Sequence, residues 1–196
     1  MKFLLSLCLL ASLTIVNSSS TLEIPQNRPS VYQFNVQDIA GNRVHLSKYE
    51  GKIILIVNVA SKCGFTPQYR DLQKFYDTYS DQDLVVLAFP SNSFRQEPKS
   101  EDEIRRFCTQ KYGITFPMFS KVIVKGKDIH PLYKFLTRKE SNQSIDAPVR
   151  WNFQKFLINH RGEVVQSFPS QIKVTGKSFD KVFKRLLAER DKELNP

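Results

Sequence analysis

Two runs of this chain are apolar at every position: Ile53, Ile54, Leu55, Ile56 and Val57, and later Leu84, Val85, Val86, Leu87, Ala88 and Phe89. Continuous β-branched and aliphatic runs of this length predict strands buried on both faces of a sheet. Between them, Tyr69, Leu72, Phe75, Tyr76 and Tyr79 share one face of a 3.6-residue period, which predicts a helix over residues 67–79. Strand, helix, strand is the unit of a parallel sheet with a right-handed crossover. Upstream, alternation over residues 31–38, a turn at Ala40, Gly41 and Asn42, and a return over residues 43–46 predict a small hairpin. Downstream, Ser100 and Glu103 have the spacing of a capping box, opening a helix over residues 100–112 with Ile104, Phe107 and Cys108 on one face. A short strand over residues 120–124, a short helix over residues 131–137 opened by Pro131, and a hairpin turning at His160, Arg161 and Gly162 complete the middle of the chain. Residues 178–194 place Phe179, Val182, Phe183, Leu186 and Leu187 along one side of a basic helix, suited to closing over the sheet.

The sum is an α/β domain on a thioredoxin-like plan: a mixed central sheet with flanking helices and an N-terminal β-hairpin. With 41% hydrophobic content in 196 residues, one domain with a sizeable core is expected. Residues 1–20 stand apart. Lys2, an apolar run to Val16, then Asn17 and three serines give the layout of a secretory signal, too short to span a bilayer comfortably. The expected division is a signal peptide over 1–20, an extended leader over 21–30 and a single domain over 31–196. That route ends in secretion or in the endoplasmic reticulum lumen, and the terminal Lys192, Glu193, Leu194, Asn195, Pro196 does not match a retrieval signal. Asn142, Gln143 and Ser144 form a glycosylation sequon that this route is able to use. The net charge of +10 is spread along the chain without nucleic-acid-binding signatures, so it reads as a solvated basic surface with some attraction for anionic partners.

The candidate chemistry lies where the first apolar run ends. Cys63 follows the strand and precedes Gly64, Thr66 and Pro67, read as a turn, a helix cap and a first helical position. Helix-end amides and the neighbouring Lys62 favour a thiolate there; the competing reading is a buried structural cysteine. Three cysteines occur, and loss of residues 1–20 removes Cys8 and leaves Cys63 and Cys108. That pair is either one structural bridge or a reactive thiol and its partner. There is no CxxC, and His45, His130 and His160 are scattered singly, so neither a dithiol exchange motif nor a metal or other bound cofactor is expected.

Three segments, in order, resemble the signature segments of the glutathione peroxidases: Asn58 to Gly64 around Cys63, Leu87 to Pro98, and Trp151, Asn152, Phe153. The resemblance implies a cysteine-type peroxidase acting in the response to oxidative stress. Cys63 would be its peroxidatic residue, and Gln96, Trp151 and Asn152 the rest of a catalytic tetrad. Amide and indole donors around a sulfur suit that task, since they hold a thiolate and stabilise a leaving hydroxide or alkoxide. Hydrogen peroxide and organic or lipid hydroperoxides are the implied substrates. The implied reductant is either glutathione or a thioredoxin-like or protein-disulfide-isomerase-like protein, with Cys108 as the candidate resolving cysteine and core packing as its competing reading. Ser91 and Ser93 depart from the family pattern. The short loop before Arg150 implies a monomer, and the leader and residues 116–121 look most like the branch of the endoplasmic reticulum lumen. Two other readings stand beside this: a peroxide-driven oxidant relay to protein thiols, and a non-catalytic secreted binding protein on the same scaffold.

Overall fold

The computed structural model describes residues 28–194; the expected signal segment, Cys8 and most of the leader lie outside them. Both continuous apolar runs are strands buried at every residue, β3 (Ile53–Val59) and β4 (Leu84–Pro90), paired in parallel from Ile53↔Leu84 to Val59↔Pro90. The crossover between them contains α1 (Gln68–Tyr79). β5 (Lys155–Ile158) runs antiparallel to the other edge of β3, and β6 (Val164–Phe168) closes the order β4-β3-β5-β6. The N-terminal hairpin, β1 (Asn35–Gln37) with β2 (Arg43–His45), forms a separate two-stranded sheet.

Alternation along β3 divides the core in two. Ile53, Leu55, Val57 and Val59 face α1, α2 (Glu101–Tyr112) and α5 (Lys177–Leu194), where Phe75 meets Phe179 and Phe183 edge-on at 5.4 and 4.9 Å between ring centroids. Ile54 and Ile56 face the other way, onto Leu46, Tyr133 and Leu136, the last two from α3 (Pro131–Thr137). Edge-on aromatic pairs of this kind add about 0.5–1.5 kcal/mol each beyond their burial. The capping box at Ser100 and Glu103 forms in both directions and starts α2 at the expected place.

Three local expectations are corrected. Residues 31–33 form a 3₁₀ turn rather than strand, because Ser30 caps it by accepting from the Tyr32 N–H. Thr66 does not cap α1: its hydroxyl donates to the Ala60 carbonyl at 2.8 Å and accepts from the Cys63 N–H at 3.0 Å. Residues 120–124 are not a strand. Their backbone N–H groups go singly to Gln37, Glu101, Pro90 and Ser93, and the ladder-like contact falls earlier, where Met118 bridges Ala88 and covers the edge of β4. The loop read before Arg150 is preceded by a short helix, α4 (Lys139–Asn142).

That helix bears on the sequon. Asn142 is 4% exposed, its Nδ2 donates to the carbonyls of Phe135, Leu136 and Ile145, and its Oδ1 accepts from the N–H groups of Ser144 and Ile145. The folded domain uses this amide internally and leaves no room for a glycan on it.

Candidate active site

β3 delivers the chain to residues 60–67, and the turn there is wound about Cys63. The Thr66 hydroxyl spans Ala60 O and Cys63 N, the Thr66 N–H donates to the Cys63 carbonyl at 3.0 Å, and the Phe65 N–H points at the Cys63 Sγ at 3.4 Å. Cys63 is 7% exposed and unpaired. The Phe65 backbone N–H is a donor placed at the sulfur, at the strand-to-helix handover.

The loop after β4 is fastened to the same turn. Lys62 N–H donates to the Gln96 carbonyl at 3.0 Å, and Ser61 N–H donates to Glu97 Oε2 at 2.7 Å while the Ser61 hydroxyl bonds Glu97 Oε1. Glu97 is fully buried; burial holds its carboxyl above the usual range, against the opposing pull of the Ser61 bonds. Sequence reasoning missed this residue, although a carboxylate next to the candidate Gln96 was a signal available to it.

Trp151 and Asn152 arrive from the segment before β5. Asn152, fully buried, donates through Nδ2 to Gln96 Oε1 at 2.9 Å. That bond uses the acceptor of Gln96 and leaves its two N–H donors, with the Trp151 indole N–H, free for a sulfur or a peroxide oxygen. Trp151 is 41% exposed and packs on Phe94 with ring centroids 5.0 Å apart, and Lys125 lies over the other ring at 4.3 Å. Asn58, the one polar residue of β3, holds this segment: its Nδ2 donates to Trp151 O at 3.1 Å and its carbonyl accepts from Phe153 N–H at 2.6 Å. A lone polar residue inside an apolar strand was the legible hint. The structure thus brings Gln96 and Asn152 into contact and joins both to the Cys63 turn.

Cys108 is placed differently. It lies within α2, has no exposed surface, and burial pushes its thiol up to about 11, with the Tyr69 phenol facing the sulfur without closing a full hydrogen bond. Both cysteines belong to one apolar cluster and both are free thiols.

A thiol at the carboxyl end of a central strand, wound into the turn before a helix on a thioredoxin-like sheet, defines a thiol oxidoreductase. Comparison with known proteins narrows the class. Residues 31–137 match the family model described as glutathione peroxidase. The chain is 47% identical over 138 residues to a glutathione peroxidase of Lactococcus lactis, covering 70% of this chain and 87% of that one. It is 44% identical to a hydroperoxy fatty acid reductase of Synechocystis sp. (74% and 89% covered) and 40% identical to glutathione peroxidase-like peroxiredoxin 2 of Saccharomyces cerevisiae (82% and 98%). Among solved structures it is similar to Trgpx in its apo form, with a TM-score of 0.63, 36% identity and 82% and 97% of the chains covered. A thiol:disulfide interchange protein of Chlorobium tepidum, 16% identical with a TM-score of 0.58 and 82% and 94% covered, shares the fold alone. The chain belongs to the glutathione peroxidase family, and it is a thiol peroxidase acting on hydroperoxides.

Proposed function

We propose that Cys63 is the peroxidatic thiol of this enzyme and that Gln96, Trp151 and Asn152 are the donors that complete its site. The observation that carries this reading is the Asn152 to Gln96 hydrogen bond, which orients the Gln96 amide beside the turn that presents Cys63. The Cys63 thiolate attacks one oxygen of the hydroperoxide, forming an S–O bond as the O–O bond breaks. The sulfur is oxidised to a sulfenic acid and the departing alkoxide or hydroxide takes a proton to leave as alcohol or water. Donors fixed in place before reaction stabilise that developing charge.

A second thiol then attacks the sulfenic sulfur, releasing water and forming a disulfide. We assign that role to Cys108, with a thioredoxin-like protein reducing the resulting bridge; direct reduction by glutathione is the competing route. A disulfide requires the two Cα atoms within about 7 Å, and in this proposal α2 shifts or unwinds around the sealed Cys108 after oxidation to meet that geometry. Hydrogen peroxide and bulkier organic hydroperoxides are the proposed substrates, the exposed Trp151 packed on a half-buried Phe94 suiting the latter. The pattern of residues 1–20 supports a secretory destination, and the short loop before Arg150 supports a monomer. No helix among the described residues is long and apolar enough to cross a membrane.

Mass spectrometry and coupled turnover, wild type against Cys63→Ser and Cys108→Ser, test both assignments. Peroxide consumption should vanish in Cys63→Ser. In Cys108→Ser it should persist while thioredoxin-coupled turnover and the internal bridge are lost. Normal glutathione turnover in Cys108→Ser, with no bridge seen in the wild type, would leave a one-cysteine mechanism.

A further inference from the structure

Phe153 is a bulky residue in the left-handed region, at φ 64°, directly after Trp151 and Asn152. For a bulky non-glycine residue that conformation is strained and persists only when its surroundings enforce it. The enforcing contacts are visible. Asn58 O takes the Phe153 N–H, and Lys155 Nζ donates to the Phe153 carbonyl at 2.7 Å. Lys155 has no exposed surface at all.

We propose that Lys155 is a positioning residue for the peroxidatic site: its buried side-chain nitrogen, bonded to the Phe153 carbonyl, fixes the left-handed turn that sets the direction of the Trp151 and Asn152 side chains. This rests on the assignment of those residues to the site. Stability is a poor account of Lys155. Besides Phe153 it reaches only the Ser170 carbonyl, at 3.4 Å, which Gln68 Nε2 already bonds at 2.7 Å, and Gln68 Oε1 beside it is buried without a partner. Burial pushes the Lys155 ammonium down to about 7, with Asp71 of α1 the one charge acting on it in the opposite sense, itself bound to Lys173 at 3.2 Å. An unfolded lysine titrates near 10.4, so between about 7 and that value the unfolded chain binds the extra proton and stability rises with pH. Below about 7 the fold carries a buried charge that disfavours it, and that is where the bond to Phe153 is charge-assisted and strongest.

The consequence is a site held most firmly below neutrality. It is tested by rapid-mixing kinetics of Cys63 oxidation by hydrogen peroxide, wild type against Lys155→Met, from about pH 5.5 to about pH 9, with thermal unfolding alongside. Lys155→Met should fold with a melting temperature at pH 6 no lower than wild type, react about tenfold more slowly there, and narrow the gap as pH rises through about 7, where the neutral amine donates more weakly. Equal rates at every pH, or a deficit that does not change with pH, would overturn the proposal. Should Lys155→Met fail to fold, NMR of the wild type decides. The Trp151 indole and Asn152 amide resonances should shift with the same midpoint as the Lys155 Cε, and resonances that ignore it would refute the proposal. Cys63→Ser run in parallel separates the layers: if it still reacts, the site assignment fails, and if it does not while Lys155→Met matches wild type, only the positioning role fails.

Discussion

Cys63 and Cys108 share one apolar cluster, one oxidation state and similar burial, yet the fold surrounds them with different chemistry. Cys63 stands in a turn where one backbone N–H points at its sulfur, a threonine hydroxyl holds its own N–H, and the Gln96 backbone, whose side chain is held by Asn152, is fastened to the neighbouring Lys62. Cys108 stands mid-helix, sealed, with an aliphatic and aromatic surround that raises its thiol to about 11. The difference teaches that burial alone does not decide whether a thiol reacts. What matters is whether polar groups were brought in with it, because a buried anion without donors is prohibitively costly and one with them is not.

The widest gap should appear in alkylation of the native protein. Iodoacetamide at pH 8 should modify Cys63 at least about 10³-fold faster than Cys108, because the latter needs both exposure by local opening and loss of a strongly held proton. The rate at Cys108 should climb about tenfold per pH unit until pH nears 11, the thiolate being the reacting form, and peptide mass spectrometry reads both sites. Next in size, Gln96→Ala or Asn152→Ala should slow peroxide reduction about 10²-fold with little change in fold, as for removal of a preorganised donor; stopped-flow oxidation measures it. Smaller again, Thr66→Val leaves Ala60 O and Cys63 N without their partner and should cost about 1–3 kcal/mol in denaturant unfolding, together with a slower peroxide step. Least of all, Cys108→Ala should leave the first oxidation of Cys63 within about twofold of wild type, since Cys108 touches that step only through packing.

The sheet was legible in the sequence because β3 and β4 carry unbroken apolar runs over residues 53–57 and 84–89, the pattern of a strand buried on both faces. α2 was legible through its capping box, and α5 through its apolar stripe. Of the candidate site, Cys63 was legible from the end of the first apolar run, and Gln96, Trp151 and Asn152 only from three motif segments whose joint occurrence points to one family; neither spacing nor periodicity says that Asn152 reaches across to Gln96. Lys155 escaped notice because a lysine at the start of a strand reads as solvent-facing, and only the tertiary structure shows its ammonium turned inward onto two carbonyls. Thr66 misled for a related reason. A threonine before a proline and a helix is a good cap, but here the turn around Cys63 claims its hydroxyl first. The Asn142 sequon is a three-residue pattern that carries no information about an amide making five internal hydrogen bonds.

The central claim is that Cys63, in its turn with Gln96, Trp151 and Asn152, is the group that reacts with peroxide. The most direct measurement is the second-order rate at which one molar equivalent of hydrogen peroxide removes the Cys63 thiol of the purified protein, followed by sulfenic-acid trapping and mass spectrometry. The expected rate is orders of magnitude above that of free cysteine, with the oxygen first found on Cys63 and Cys108 oxidised only later. A rate no faster than free cysteine, or first oxidation at Cys108, would contradict it.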